Sequence, residues 1–169
     1  MTNLMYAMSI ETFIPALRKL SALLDKAEAF AEAKKIDPAV LLQARLAPDM
    51  FPLTRQVQTA CDAAKNCVPR LAGQDPIRIE DNEKSIDELK ARIAKTIDYL
   101  SSFDAASVSD AETREIKVPA RERTLEFSGL DYLRSFALPN FFFHVTTSYN
   151  ILRHNGVELA KRDYLPSAR

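Results

Sequence analysis

Hydrophobic residues recur at intervals of three and four positions through most of the chain, which is the period of an amphipathic α-helix. The first such stretch predicts a long helix near residues 4–35. Pro15 falls within it, so we expect this proline either to kink the helix or to lie in the first turn of its main segment. The apolar positions of the stretch are Ile10, Phe13, Ile14, Leu17, Leu20, Leu24, Ala27 and Ala31.

A short helix and a second long helix are predicted next. Asp37 can cap the short helix with its carboxylate, and Pro38 suits the first helical position because its missing N–H needs no partner there. A second periodic stretch then predicts a long helix near residues 52–72. Asp49 and Pro52 are expected to open this helix, and Gly73 supplies the flexible residue at which helices commonly end.

The third long helix is predicted near residues 84–103. Its first turn contains the pattern Ser85-x-x-Glu88, a capping box in which two side chains bond the free N–H groups of the helix start. One face of this helix is apolar, and its members are Ile86, Leu89, Ile93, Ile97 and Leu100.

The period changes in the stretch "REIKVPARERTLEF", residues 114–127, where hydrophobic and charged residues alternate. Alternation is typical of a half-buried β-strand, and a turn is indicated at Pro119 to Arg123. The stretch therefore predicts a small two-stranded hairpin, which must lie against the helices because it is too small to be stable alone. Its apolar positions are Ile116, Val118, Leu125 and Phe127.

The last long helix is predicted near residues 130–154. Ser128 and Asp131 are suited to its start, and Pro139 indicates a kink or a restart within it. The pair Asn155-Gly156 is suited to its C-terminal end. Four long helices with one hairpin inserted before the last predict an all-α fold, a four-helix bundle formed by a single domain, residues 1–169.

Composition excludes several classes of function. The chain has 169 residues, with 23 basic and 23 acidic side chains, and it contains no long basic run. We therefore expect no nucleic-acid partner. No apolar run approaches the ~20 residues of a membrane-spanning helix. The first thirty residues are too charged for a signal peptide, so a cytoplasmic location is expected. The three glycines are too far apart for a phosphate-binding loop.

The two cysteines, Cys61 and Cys67, are six positions apart in a predicted helix. That spacing separates them by about 9 Å, which exceeds the ~7 Å limit between the Cα atoms of a disulfide. They are expected to be reduced thiols of the core.

The two histidines of the chain, His144 and His154, fall in the last helix. Ten residues of helix separate them by about 15 Å along the axis, so they cannot share one metal ion. A helical metal site would have a second histidine four positions away, but Ser148 follows His144 at that distance and Asn150 precedes His154. We therefore predict no metal site and no cofactor.

His144 is the more interesting histidine. His154 is suited to the last helical turn, where an imidazole can bond free carbonyls. His144 lies at the edge of an apolar face and is expected to hydrogen-bond a polar partner inside the bundle, near residues 58–62 of the second long helix; a ligand-binding or pocket-lining role is the alternative. The candidate pocket consists of Gln58, Asp62, His144 and Ser148.

Three stretches carry a family resemblance. They are "FFFHVTTSYNILRHNGVELAKRDYL" (residues 141–165), "RLAPDMFPLTRQVQTACDAAK" (residues 45–65) and "SIDELKARIAKTIDYL" (residues 85–100). They resemble an uncharacterised bacterial family, a domain of unknown function grouped with the DinB/YfiT-like superfamily. The resemblance implies a four-helix bundle of up-down-down-up connectivity, usually dimeric.

The resemblance also implies a possible chemistry. The superfamily includes metal-dependent enzymes, among them thiol S-transferases, in which one histidine of the second helix and a His-x-x-x-His pair of the last helix bind the metal. Here the second long helix has no histidine, and Gln58 or Thr59 stands about where one is expected. One member of the pair at most can be matched on the last helix. The resemblance thus extends to the fold and not to the metal chemistry.

Three functions are compatible with these observations. We favour a non-catalytic bundle that binds a small apolar ligand or a protein partner, because few catalytic residue types converge. The alternatives are a metal-dependent transferase of the superfamily type and a metal-free enzyme in which His144 acts as acid or base. A homodimer is expected by analogy with the superfamily, through apolar surface that includes Leu4, Tyr6 and Ile10 and the phenylalanine-rich last helix.

Overall fold

The computed structural model describes residues 3–120 and 122–165, and its chain is 66% helical. The four long helices are present, together with shorter ones. The helices are α1 (Leu4–Met8), α2 (Ile10–Lys34), α3 (Pro38–Gln43), α4 (Leu53–Leu71), α5 (Ile86–Ser101), α6 (Gly129–Tyr132), α7 (Leu138–His154) and α8 (Lys161–Tyr164); short 3₁₀ helices at Ala106–Val108 and Ala111–Thr113 and a π-helical turn at Leu133–Ala137 complete the set.

Helices α2 and α7 run parallel to each other. Near their beginnings, the rings of Phe13 and Phe141 meet edge to face with 4.8 Å between centroids. Near their ends, Phe30 lies beside Gly156, which follows α7. The first residues of α2 contact the first residues of α7, and the last residues of α2 lie beside the end of α7. The two helices must therefore run in the same direction.

Helices α4 and α7 are antiparallel. The beginning of α4 contacts the middle of α7 through Gln56 and His144. The end of α4 contacts the segment before α7 through Arg70 and Tyr132. Since α7 runs parallel to α2, α4 runs opposite to both.

The connection between α4 and α5 sets the direction of α5. It runs back along α4, because Lys65 donates to the carbonyl of Ile77 at 2.7 Å and Gln58 donates to Glu83 at 2.8 Å. Helix α5 therefore begins beside the beginning of α4 and runs parallel to it. The bundle has the up-down-down-up connectivity expected from the family resemblance.

The first predicted helix is divided in two. Its break lies at Ser9, whose backbone is non-helical and whose hydroxyl donates to the carbonyl of Met5. Pro15 lies in the second turn of α2 rather than in its first. Helix α1 is therefore separated from α2 at Ser9, whose hydroxyl bonds the carbonyl four residues earlier, and not at the proline.

The last helical region contains a wide turn before Pro139. Ser128 caps α6 by accepting from the N–H of Asp131, as predicted. The chain then forms the π-helical turn and re-enters α-helix at Leu138, with Pro139 as its second residue. A proline has no N–H to donate to the preceding turn, and its ring crowds that turn. The α-helix therefore begins again next to Pro139, where the sequence predicted a kink or a restart.

The predicted hairpin is present before the last helices. Strand β1 (Glu115–Ala120) pairs antiparallel with β2 (Arg123–Ser128), with Ile116 opposite Phe127. Ile116 and Val118 are buried, and the intervening Lys117 is exposed. The ring of Phe127 contacts that of Phe136, so the hairpin packs against the start of the last helical region.

The core is continuous through the four long helices and contains both cysteines, which are buried and free. None of the helices within residues 3–120 and 122–165 combines the length and the hydropathy that crossing a membrane would require.

Candidate functional site

His144 is buried against the beginning of α4, with 7% of its surface exposed. Its Nδ1 lies 2.7 Å from Oε1 of Gln56. An amide oxygen can only accept a hydrogen bond, so Nδ1 of His144 is the donor. The histidine thus has the polar partner inside the bundle that the sequence predicted, on the predicted helix.

The orientation of Gln56 is determined by a second bond. Its Nε2 donates to the backbone carbonyl of Phe51 at 3.2 Å, which directs Oε1 toward His144. The proton of the neutral imidazole is therefore on Nδ1, and Nε2 carries a lone pair. Burial, and next the positive charge of Arg55, lower the pKa of His144 from 6.5, so the ring is neutral at pH 7.

The identity of the partner differs from the prediction, which placed His144 near Gln58, Thr59 or Asp62. The helical rotation of α4 explains the difference. Gln58 is two positions after Gln56, or about 200° around the helix axis, and therefore faces another neighbour. Thr59 donates its hydroxyl to the carbonyl of Arg55.

Gln58 and Asp62 belong to a charged network around Arg92 of α5. The guanidinium of Arg92 has 1% of its side-chain surface exposed and lies 2.9 Å from Asp62, 2.9 Å from Asp81 and 3.0 Å from Glu83. Gln58 donates to Glu83. The network joins α4, α5 and the connection between them.

The charges of this network are balanced. Arg55 pairs with Asp81, and Lys65 lies 3.5 Å from Asp62, so three cations face three carboxylates. Burial by itself would raise the pKa of Asp81, but Arg55 and Arg92 hold it below its ordinary value. A balanced and internally bonded cluster of this kind carries no net charge and stabilises the connection between α4 and α5.

Ser148 is fully buried, and its hydroxyl donates to the carbonyl of His144 at 2.9 Å. The four residues of the predicted pocket therefore occupy two places. His144 and Ser148 lie on α7 against α4, whereas Gln58 and Asp62 lie in the network of Arg92. No cavity that we describe is shared by the four residues.

The donor set around His144 does not fit a divalent metal. Oε1 of Gln56 accepts from His144, Nε2 of Gln56 donates to Phe51, and the hydroxyl of Ser148 bonds its own helix. Nε2 of His144 is the one nitrogen left with a lone pair, and a catalytic metal usually takes three protein ligands. Within residues 3–120 and 122–165, no group of three His, Cys, Asp or Glu side chains is placed to share an ion.

The two thiols are poor nucleophiles. Burial raises the pKa of Cys61 to about 12, although a hydrogen bond with Thr96 opposes this shift. Burial also raises the pKa of Cys67. A thiol reacts as its thiolate, which neither cysteine forms near neutral pH.

An apolar cavity of about 390 Å³ lies on the other side of α7 from the bond between His144 and Gln56. Its walls come from α2, α7 and the segment that contains α8. The lining is formed by Pro15, Ala16, Leu23, Phe142, Val145, Tyr164 and Leu165, with Glu11, Thr12 and Lys19 as the polar members.

The C-terminal segment is held in place as one wall of this cavity by a few polar contacts. Asp163 lies 2.9 Å from Lys26 of α2. The hydroxyl of Tyr164 lies 2.9 Å from that of Thr146, and its ring meets Tyr149 edge to face. This cavity was not predicted from the sequence. The segment "KRDYL", which forms one of its walls, belongs to a stretch that carries the family resemblance.

Comparisons with known proteins agree with this architecture. Residues 5–165 match a family model described as a domain of unknown function, DUF1993. The chain is also similar to a crystal structure of a DinB family member protein from Shewanella denitrificans, with 46% sequence identity, a TM-score of 0.90, and coverage of 96% of this chain and 92% of that one. A comparison with curated proteins gives no match.

Proposed function

We propose that this chain, which belongs to the DUF1993 family of domains of unknown function, is a non-catalytic module that binds a small apolar molecule in the cavity between α2, α7 and α8. One observation carries the proposal: a cavity of about 390 Å³ is lined almost entirely by hydrocarbon and aromatic surface. Pockets for small organic molecules typically have ~300–1,000 Å³ and such a lining, with a few polar groups.

The polar groups of the cavity indicate what kind of ligand it suits. Glu11 and Lys19 are eight positions apart on α2, so their Cα atoms are separated by about 12 Å along the helix. Neither forms an ion pair with another residue of the ranges 3–120 and 122–165. A ligand with an apolar body and one polar end would bury its body against Phe142 and Val145 and leave the polar end beside one of these charges.

The proposal can be tested with an environment-sensitive apolar dye, 1-anilinonaphthalene-8-sulfonate, and a series of alkyl and aryl alcohols as competitors. Ala16→Phe fills the cavity from its α2 wall. Ala29→Phe is the matched control, because Ala29 is on the same helix but is exposed and does not line the cavity. Saturable dye binding should be lost in the first variant and retained in the second.

Two results would contradict this function. One is dye affinity that is equal in the wild type and in Ala16→Phe, with both proteins folded. The other is competition that does not strengthen with the apolar area of the alcohol, since burial of hydrocarbon contributes about 25 cal/mol per Å².

A lost metal site is part of the same proposal. The pattern implied by the family resemblance requires histidines on both helices that meet here, whereas this chain has Gln56 facing His144 and Ser148 one turn after it. The internal hydrogen bonds of these three side chains support a site that no longer binds a metal. Stoichiometric zinc or nickel in protein purified without a histidine tag would contradict it.

A second candidate function is favoured by the tautomer of His144. Its Nε2 has a lone pair at neutral pH and receives no hydrogen bond from another described residue. Such a nitrogen can act as a general base without a metal. Ring nitrogen NMR shifts should assign the proton to Nδ1; a proton on Nε2 at neutral pH would remove the basis of this candidate.

A further inference from the structure

A second cavity, of about 220 Å³, lies between α4, β1 and the turn that precedes α7. In contrast to the apolar cavity, most of its lining side chains carry hydrogen-bonding groups. The polar lining residues are Thr59, Asp62, Asn66, Arg70, Tyr132 and Asn140. Part of the wall is the π-helical turn, a distortion that is frequent at functional sites.

Arg70 brings a positive charge to this cavity. Its Nη1 donates to the hydroxyl of Tyr132 at 3.1 Å. No acidic side chain of the ranges 3–120 and 122–165 lies within ion-pair distance of its guanidinium, whereas Arg92 contacts three carboxylates. A partly buried guanidinium that forms no ion pair within these ranges is complementary to an anionic ligand.

Tyr132 adds a hydrogen-bond donor beside that charge. Tyr132 lines the cavity although only 1% of its surface is exposed to solvent. Its hydroxyl oxygen accepts from Arg70, and its own proton has no acceptor within residues 3–120 and 122–165. Burial raises the pKa of Tyr132 to about 12, although Arg70 opposes the shift. The phenol therefore keeps its proton at neutral pH.

The remaining walls are also rich in donors. The side-chain amides of Asn66 and Asn140 line the cavity, and neither bonds another side chain or backbone group of the described residues. Asp62 is the one acidic lining residue. Its Oδ1 accepts from Arg92 at 2.9 Å and lies 3.5 Å from Lys65, so its charge is compensated from outside the cavity.

We propose that this cavity binds a small organic monocarboxylate, with the carboxylate group held by Arg70 and Tyr132. A single guanidinium matches one planar carboxylate through paired N–H donors. A dianion such as phosphate is disfavoured, because Arg70 is the one basic residue of the described lining and a second negative charge would have no cation to face. The free oxygen of Asp62 can instead accept from a hydroxyl group, which favours a hydroxy acid.

The test is calorimetric titration of the full chain with sodium lactate at constant ionic strength. Lactamide, which lacks the charge, and inorganic phosphate serve as comparison probes. Lactate should bind saturably with a dissociation constant on the order of 1 mM or tighter, and lactamide should show no saturation.

Three variants localise the binding. Arg70→Gln should weaken lactate binding at least about tenfold, since hydrogen bonds to charged groups are strong. Tyr132→Phe removes one hydroxyl group and should weaken lactate binding about threefold or more. If Arg70→Gln unfolds, Tyr132→Phe alone tests whether lactate binds in this cavity. Arg134→Gln is the control, because Arg134 is exposed, pairs with Asp131 and does not line the cavity; it should leave binding unchanged.

Absence of saturable lactate binding in the wild type would overturn the inference, as would unchanged affinity in both Arg70→Gln and Tyr132→Phe. Tighter binding of phosphate than of lactate would overturn the assignment to a monocarboxylate. Lactate binding and the proposed apolar site can be tested independently of each other. Ala16→Phe changes a residue of α2 that lines only the apolar cavity of the two, so it should leave lactate binding intact.

Discussion

The backbone carbonyl of Phe51 determines which ring nitrogen of His144 carries the proton. It acts through Gln56, whose amide donates to Phe51 and accepts from Nδ1 of His144. Because the carbonyl oxygen of Phe51 cannot donate, it fixes the amide of Gln56 as its donor. The amide oxygen of Gln56 in turn fixes Nδ1 of His144 as a donor. The relationship leads to two predictions about His144.

Replacing His144 should destabilise the bundle more than replacing His154. His144→Ala leaves the buried Oε1 of Gln56 without its donor, which should cost about 1–3 kcal/mol of unfolding free energy. His154 is exposed in the last turn of α7, so His154→Ala should cost about 0.3–1 kcal/mol at most. Urea unfolding measures both values, and equal losses would contradict the assignment of His144 to a buried hydrogen bond.

The stability of the chain should depend on pH through His144. Its pKa in the folded state is below the ordinary value of 6.5, so the unfolded chain binds this proton more readily. Stability is therefore fully present above about pH 6.5 and decreases as the pH falls below it. His144→Asn keeps a donor near Nδ1 and does not titrate, so the unfolding free energy of this variant should depend less on pH. Parallel pH profiles for the two proteins would refute the prediction.

Loss of Arg92 should be severe. Its three carboxylate partners would remain partly buried without their central cation, which costs about 3–5 kcal/mol when one side of a buried pair is removed. Arg92→Met preserves the length of the apolar stem and is the suitable variant. Arg134→Met is the control, since its ion pair with Asp131 is exposed and is worth ~0–1 kcal/mol. Arg92→Met should also be cleaved faster by proteases within residues 74–85, because the connection between α4 and α5 loses its central cation.

Self-association is a further prediction. Leu4 and Phe143 have 52% and 55% of their surface exposed, and no net charge opposes the approach of two copies. Ile10, which was predicted to belong to the contact surface, is buried in the core and is not available for contact with a second copy. We expect sedimentation at micromolar concentration to give twice the mass of 19.0 kDa, and a 19.0 kDa species would refute this expectation.

Local signals predicted the helix limits well. The contacts that limit a helix lie within one turn of the residue that makes them. Residue type was therefore sufficient to place the starts of α3 and α5 at Asp37 and Ser85 and the end of α7 near Gly156. The break at Ser9 was missed because a serine that bonds the carbonyl four residues earlier cannot be told from any other serine in a helical pattern.

The contacts between elements were harder to predict. The sequence paired His144 with the correct helix but not with Gln56, because an error of two residues rotates a helix by more than half a turn. Neither cavity was predicted as a whole, although Asp62 of the predicted pocket lines the second one. Each requires segments far apart in the sequence, such as α2 with Tyr164 or α4 with Val118, to be placed relative to one another.

The short helix α8 makes the proposed ligand affinity dependent on a docking equilibrium. It has no fully buried residue, and a four-residue helix is unstable by itself, so its position relies largely on contacts such as Lys26 with Asp163 and Thr146 with Tyr164. The apparent dissociation constant of the apolar cavity equals the intrinsic one divided by the docked fraction. A change that halves this fraction would double the apparent constant without touching a ligand-binding side chain, and a bound ligand would in turn increase the population of the docked segment.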